Sequence, residues 1–388
     1  MPFRFDPRDP AFLQDPYPTY KEMRDRHPVY RMEENGFWLI TRYEDISRAL
    51  ADPATFSSSR GNSTVDTPVR VGKTLGTIDP PRHDELRRIV LKGFTPARIE
   101  AAQPGVRAHA QRHLAELRSR GGGDLVADLG RPLLYGALGR MLGFDDAAAQ
   151  RGSELMVGLF HSTDGPMGSP LPGTMAPDVR NFLQAELQKR KSSRGDDLFS
   201  VLIAAREQGA NLSEEEIVAN MMTVLLAGGA SIGHFFSNFM YALWLHPESR
   251  EAVRNDPGLI DAAIEEGVRW DTSTQCFARH LNAEVTVDGV TIPAQSRVIL
   301  FYGSANRDER ALADADRFDI RRPRVRHFGW GSGPHFCFGA PTAKAMLRTI
   351  LQEALPALGD YELDMESAVR VHHTMVRGFK SLPARLAS

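Results

Sequence analysis

The sequence predicts a mainly α-helical protein with a small β portion, an α+β chain organised as one large domain over residues 1–388. Residues 213–247 carry the strongest signal. Ser213 and Glu216 stand at capping-box spacing, an apolar run follows on nearly every face, and Pro247 ends it. Roughly 32 residues fit between these limits, a helix about 48 Å long that crosses a whole domain inside its core. Residues 82–120 read as consecutive amphipathic helices, and strand patterns are few and late. No Ser/Gly-rich linker, charge run or internal repeat divides the chain.

The elements follow in order. The opening MPFRFDPRDPAFLQDPYPTY is rich in Pro and Asp and has no apolar targeting core. Nowhere do apolar residues run on for the ~18 positions of a membrane span. With 47 Lys and Arg against 49 Asp and Glu, the net charge of −2 gives no field for nucleic acid or an anionic membrane. A cytoplasmic protein is expected. The stretch FSSSRGNSTVDTPVR from Phe56 is rich in turn formers and reads as mobile, and VRVGKTLGTI, residues 69–78, reads as loop. The helices of 82–120 are expected to break near Pro96 and Pro104. HSTDGPMGSPLPGTMAP from His161 is a second mobile stretch, and EVTVDGVTI, residues 284–292, is a hairpin turning at Asp288-Gly289.

The chain has two cysteines, Cys276 and Cys337, too few for a disulfide framework and without the CxxC spacing of a zinc site. Cys337 lies in HFGWGSGPHFCFGAP, residues 327–341. The spacing of Gly329, Gly331 and Gly333 fits neither nucleotide-binding fingerprint, and no Gly-Lys-Ser/Thr follows. A turn around a buried, inert thiol is the plain reading of a lone cysteine. A thiolate that ligates a haem iron needs a close backbone approach, N–H groups aimed at sulfur, and cations for the haem carboxylates.

The order Trp330, Gly331, Ser332, Gly333, Pro334, His335, Phe336, Cys337, Phe338, Gly339 resembles the cysteine-ligand signature of the cytochrome P450 family, with Trp330 where that family usually has Phe. IEEGVRW supplies Glu266 and Arg269 at the family's ExxR spacing. FARH, IPAQSRVILFYGSANRD and DRFDIRR follow in the family's order. The matching segments cover roughly residues 80–95 and 213–385. The resemblance implies the family's fold, a triangular single domain with a long central helix over haem b. It implies Cys337 as axial ligand, with Gly339 beside it, and His83, Arg87, Arg279, His327 and His335 as haem-carboxylate contacts. It implies Glu266, Arg269 and Arg322 as a structural triad.

The implied activity is that of a haem-thiolate monooxygenase: dioxygen activated with two electrons and two protons, then oxidation of a small organic substrate. Electrons would come from a ferredoxin and its reductase, docking where Arg87, Arg88 and Lys92 meet an acidic partner. One departure bears on mechanism. The family usually carries Ala-Gly-x-acid-Thr in the long helix. Here Ala227, Gly228, Gly229, Ala230 and Ser231 stand instead, so Ala230 replaces the acid and Ser231 the threonine. Gly229, Ala230 and Ser231 are the expected oxygen-activation segment, and the paired glycines mark a kink or a close approach to haem. Three readings stay open: an oxygen-using monooxygenase, a peroxide-using or oxidative-coupling variant, and a haem-binding protein without turnover. The substrate is expected to meet residues 57–76, 155–185 and 273–277, Gly229, Ala230 and the chain near His373, with Cys276 close by as a small wall or core residue.

Overall fold

A computed structural model describes residues 3–160, 167 and 177–387. The expected long helix spans Glu214–Leu245 without a break at Gly228-Gly229. Its start is fixed as the sequence predicts: Glu216 N–H donates to Ser213 Oγ (3.2 Å) and Ser213 N–H donates to Glu216 Oε2 (2.8 Å). It ends before Pro247, which opens the next helix, Pro247–Asn255.

Two apolar clusters share that helix. Its first half packs Ile217, Met221 and Leu225 with Leu183, Phe199 and Leu202 from the helices Pro177–Ser192 and Leu198–Glu207. Its second half packs Phe235, Phe239 and Met240 with Val106, Ile264 and Ile350. These come from the helices Pro96–Ser119, Ile260–Trp270 and Ala340–Leu358. By length and composition the long helix is apolar enough to cross a membrane, but 67% of its most apolar window is buried inside the protein. An apolar residue on every face is what burial between two clusters requires.

Pro96 opens Pro96–Ser119 at its first turn, where the missing N–H costs nothing. Pro104, expected to break the helix, lies inside it. Contacts with Ala340–Leu358 bracket the proline: Thr349 Oγ1 donates to Gln103 Oε1 (2.7 Å), and Arg107 pairs with Glu353. Packing of Val106, Ala110 and Leu114 adds to these contacts and outweighs the one backbone bond lost.

The β portion is a five-stranded sheet in the order Val29–Arg31, Trp38–Ile40, Arg297–Phe301, Cys276–Leu281, Phe56–Ser57, with smaller two- and three-stranded sheets. The pair Trp38–Ile40 and Arg297–Phe301 is parallel and the other pairs of this sheet are antiparallel. The 284–292 hairpin forms as Val285–Val287 and Val290–Ile292, with positive φ at Asp288 (48°) and Gly289 (77°). The stretch after Phe56 is not loose. Ser57 Oγ (2.5 Å) and Ser58 N–H (2.9 Å) donate to Asp79, and Ala278 N–H donates to Asn62 O (2.8 Å). Residues 69–78 are loop apart from a 3-10 turn, Leu75–Thr77. The second expected mobile stretch, from His161, lies outside the described residues except Met167 and Pro177.

Candidate active site around Cys337

The loop that carries Cys337 leaves the sheet region and enters the helix Ala340–Leu358. It is closed on itself by Cys337 N–H donating to Trp330 O (2.8 Å) and tied down by Phe328 N–H on Asn306 Oδ1 (2.6 Å). Gly333 has φ +66°, and a Cβ there would fall 2.1 Å from Leu50 O, so only glycine lets the loop seat on the helix Tyr43–Ala51. The close approach that glycine provides at 333 is therefore to protein backbone. Cys337 sits just before a helix N-terminus. Burial pushes its thiol up, while N–H groups of Gly339 and Ala340 and the cations of Arg87 and Lys344 pull the other way.

Cys337 and Gly339 line a cavity of about 370 Å³ beneath the middle of the long helix. His83, Arg87, Arg279, His335, Ala230 and Ser231 line the same cavity. His83 and Arg87 project from one side of the helix Arg82–Leu91, one turn apart. Arg279 is 4% exposed on the strand Cys276–Leu281 and donates to Ala278 O (2.8 Å). The rings of His83 and His335 meet edge to face at 4.5 Å. Burial lowers the pKa of His335, partly opposed by Asp79 at 4.0 Å. Asp79 itself lies at about 2: burial raises it, but His335, Ser57 and the Ser58 N–H lower it more.

Two of the expected site residues lie off the cavity wall. His327 does not line the cavity. Its Nε2 meets Glu265 Oε2 at 3.0 Å and its Nδ1 accepts from Gly329 N–H at 3.2 Å, so both ring nitrogens are spent within the protein. Gly229 is also absent from the wall, which takes Ala227, Gly228, Ala230 and Ser231 from that stretch; a Cβ on Gly228 would press Leu138 at 3.0 Å. Arg87, expected also on a docking face, turns to the cavity, whereas Arg88 and Lys92 are exposed. Cys276 is fully buried in an apolar cluster outside the cavity wall, and burial raises its thiol pKa far above the usual range.

Glu266, Arg269 and Arg322 come together away from the cavity. Arg269 donates twice to Glu266 (2.7 Å each), and Arg322 Nε reaches Glu266 Oε1 at 3.3 Å. Arg269 also donates to Asn306 O (2.8 Å), Ala315 O (2.7 Å) and Arg317 O (2.9 Å), which pins residues 306–322 to the Ile260–Trp270 helix.

Sequence reasoning missed the surroundings of Trp330. Its indole N–H donates to Glu265 Oε2 (3.1 Å), and Glu265 also pairs with His327 and Lys344. Burial raises the Glu265 pKa, but these partners bring it down to about 2. The adjacent Glu265-Glu266 pair was the available signal. The expected lining segment 57–76 supplies Asn62 and Arg70, whereas Asn220 and His234 in the cavity wall were missed, since no spacing rule singles them out.

A haem fits this donor set. His83 Nε2 and His335 Nε2 are buried without a hydrogen-bond partner, Arg87 carries none among the described residues, and all face the cavity that holds the Cys337 sulfur. Two cations and two unpaired imidazole nitrogens at one edge suit a pair of carboxylates, and a cysteine in the floor suits iron.

A sequence profile of the cytochrome P450 family matches residues 175–377. Putative cytochrome P450 123 of Mycobacterium bovis is 34% identical over 97% of this chain and 96% of its own length. Cytochrome P450 monooxygenase PikC of Streptomyces venezuelae is 32% identical over 96% and 92%. The chain belongs to the cytochrome P450 family. Its fold agrees: the structure of cytochrome P450 CYP109Q5 from Chondromyces apiculatus superposes with a TM-score of 0.88 at 28% identity, covering 99% of both chains. As a cytochrome P450 it is a monooxygenase with haem b bound through a cysteine thiolate.

Proposed function

We propose that Cys337 is the axial ligand of this cytochrome P450 and that His83, Arg87, Arg279 and His335 hold the haem carboxylates. The enzyme then oxidises a small, largely apolar organic substrate with dioxygen and electrons from a separate ferredoxin and reductase. The observation that carries this reading is the meeting of Cys337, two cations and two unpaired imidazole nitrogens in one buried cavity. Bound haem supplies oxygen activation, and thiolate ligation favours O–O cleavage. The protein's share is to orient the substrate, exclude water and move protons. Phe94, Leu202, Leu226, Phe235 and Phe277 make the wall apolar and shaped for a bulky molecule.

Proton movement is the unusual part. No Asp or Glu lines the cavity among the described residues. Ser231 lines the cavity next to Ala230, which supports a role in holding a chain of water or a substrate hydroxyl that relays protons. The same observation supports a second reading, a peroxide-driven or oxidative-coupling enzyme in which proton delivery to bound oxygen matters less. Tight coupling of NADH consumption to product would exclude it. Arg88 and Lys92 belong to the docking face for an acidic electron donor, and a cytoplasmic location goes with such a donor.

The test of the ligand is the carbon monoxide difference spectrum of the dithionite-reduced protein, with Cys337→Ala beside it. A thiolate-type, red-shifted Soret band in the wild type that is absent in the variant is the expected result. The same band in both would remove Cys337 from the iron.

A further inference from the structure

We propose that Asn62 and Arg70 form a polar anchor in the cavity wall that selects substrates carrying a neutral hydrogen-bond acceptor, such as a carbonyl or hydroxyl oxygen. The proposal deepens the monooxygenase reading above and rests on it.

Both residues line the cavity, and Arg70 is 7% exposed. Its Nη1 donates to Ser63 Oγ and Asp66 Oδ1 at 3.0 Å each, and its Nη2 donates to Asn62 Oδ1 at 3.0 Å. A guanidinium has five N–H groups, so about two remain uncommitted here. Asn62 spends its side-chain oxygen on Arg70, and its Nδ2 donates to nothing among the described residues. Asn220 and Thr223, polar wall residues on the first half of the long helix, are satisfied. Asn220 Nδ2 donates to Lys73 O (2.9 Å) and Glu216 O (2.8 Å), Asn220 Oδ1 accepts from Leu75 N–H (2.9 Å), and Thr223 donates to Ala219 O (2.9 Å). Asn62 and Arg70 thus bring spare N–H donors together in an otherwise apolar stretch of wall, where leaving them unpaired under a bound substrate is costly.

The charge balance chooses the kind of acceptor. Asp66 already neutralises Arg70 and accepts from the N–H groups of Asn62 (2.9 Å), Ser63 (3.2 Å) and Thr67 (3.1 Å). A carboxylate ligand would be desolvated beside a cation whose charge is spent and within reach of Asp66, whereas a neutral oxygen needs only the free N–H. The anchor is also preorganised. Ala278 N–H holds Asn62 O, and Arg297 donates to Arg60 O (2.9 Å) and to Ser63 O. Gly76 keeps its front open, because a Cβ at 76 would come within 3.0 Å of Asn62 Nδ2.

The experiment titrates the holoenzyme with cyclododecane, cyclododecanone and cyclododecanecarboxylate, reading both the ferric spectral shift and thermal stabilisation. The ketone is expected to bind about tenfold more tightly than the hydrocarbon and than the carboxylate. Asn62→Ala and Gly76→Ala should each bring the ketone near the hydrocarbon, with haem content unchanged. Gly76→Ala removes neither the Asn62 nor the Arg70 side chain, and an unchanged melting temperature of the ligand-free variant separates its effect from unfolding. A ketone preference that survives both variants overturns the proposal, as does tightest binding of the carboxylate. Loss of haem with unchanged ligand preference also overturns it, by assigning these donors to the haem carboxylates. A wild-type protein without the thiolate-type carbon monoxide band would instead sink the monooxygenase reading, while the thermal shifts still report the anchor.

Discussion

At the scale of single residues, partners decide roles that residue type leaves open. His327 and His335 lie eight positions apart in one loop. One is tied at both nitrogens, to Glu265 and the Gly329 N–H, and the other keeps Nε2 unbonded in the cavity. Ser231 is the residue whose chemistry matters most once the wall is seen to hold no carboxylate among the described residues. Ser231→Ala should lower product formed per NADH by on the order of tenfold and leave the substrate-induced spectral shift intact. An equal loss in peroxide-driven turnover would place Ser231 in substrate binding instead. Cys337 and the Glu266–Arg269 pair were legible from spacing because their partners are near in sequence or fixed by it. The Glu265 cluster was not, because its partners come from segments far apart in the chain, and the Asn62–Arg70 pair, though local, lies in an irregular loop that no periodic pattern describes.

At the scale of elements, caps and buried pairs set boundaries. Ser213→Ala removes the side-chain half of the long helix's capping box and should cost about 1 kcal/mol, seen as a lower denaturant midpoint at unchanged slope. Glu266→Gln is a different case. Glu266 is 5% exposed and faces Arg269, which is 1% exposed, so the substitution strands a buried cation. A loss of roughly 3–5 kcal/mol is expected, measured by the same denaturation. If it is within 1 kcal/mol, the triad does not brace residues 306–322 as described. Pro104 shows where element reasoning from sequence stops: the local rule breaks the helix, and packing on Ala340–Leu358 keeps it.

At the scale of the whole molecule, the long helix joins both apolar clusters, so its buried polar groups couple the cavity to global stability. His234 on that helix is buried, and burial, with the charges of Arg131 and His373, lowers its pKa to about 3 from an ordinary 6.5. The unfolded chain takes up this proton first. Stability from keeping His234 neutral is therefore complete above pH 6.5 and is lost as pH falls toward 3. The expected slope for this group is up to about 1.4 kcal/mol per pH unit. Asp79 and Glu265, held at about 2, contribute stability that is lost only at lower pH, between their ordinary values and 2. Denaturation of wild type and His234→Gln between pH 5 and 6.5 isolates the histidine. The variant should show the flatter profile, and parallel profiles would mean that His234 takes up its proton without unfolding.

The sequence by itself determined the long buried helix, the hairpin at Asp288-Gly289, the cysteine loop and the cytochrome P450 family. These rest on short-range signals: caps, turn residues and motif spacing act between neighbours in the chain. Only the tertiary structure decided that His327 faces Glu265, that Pro104 stays helical and that Asn62 and Arg70 share one wall with Ser231. Each of these depends on which distant segment supplies the hydrogen-bond partner or the packing surface, and that is set by the folded chain as a whole.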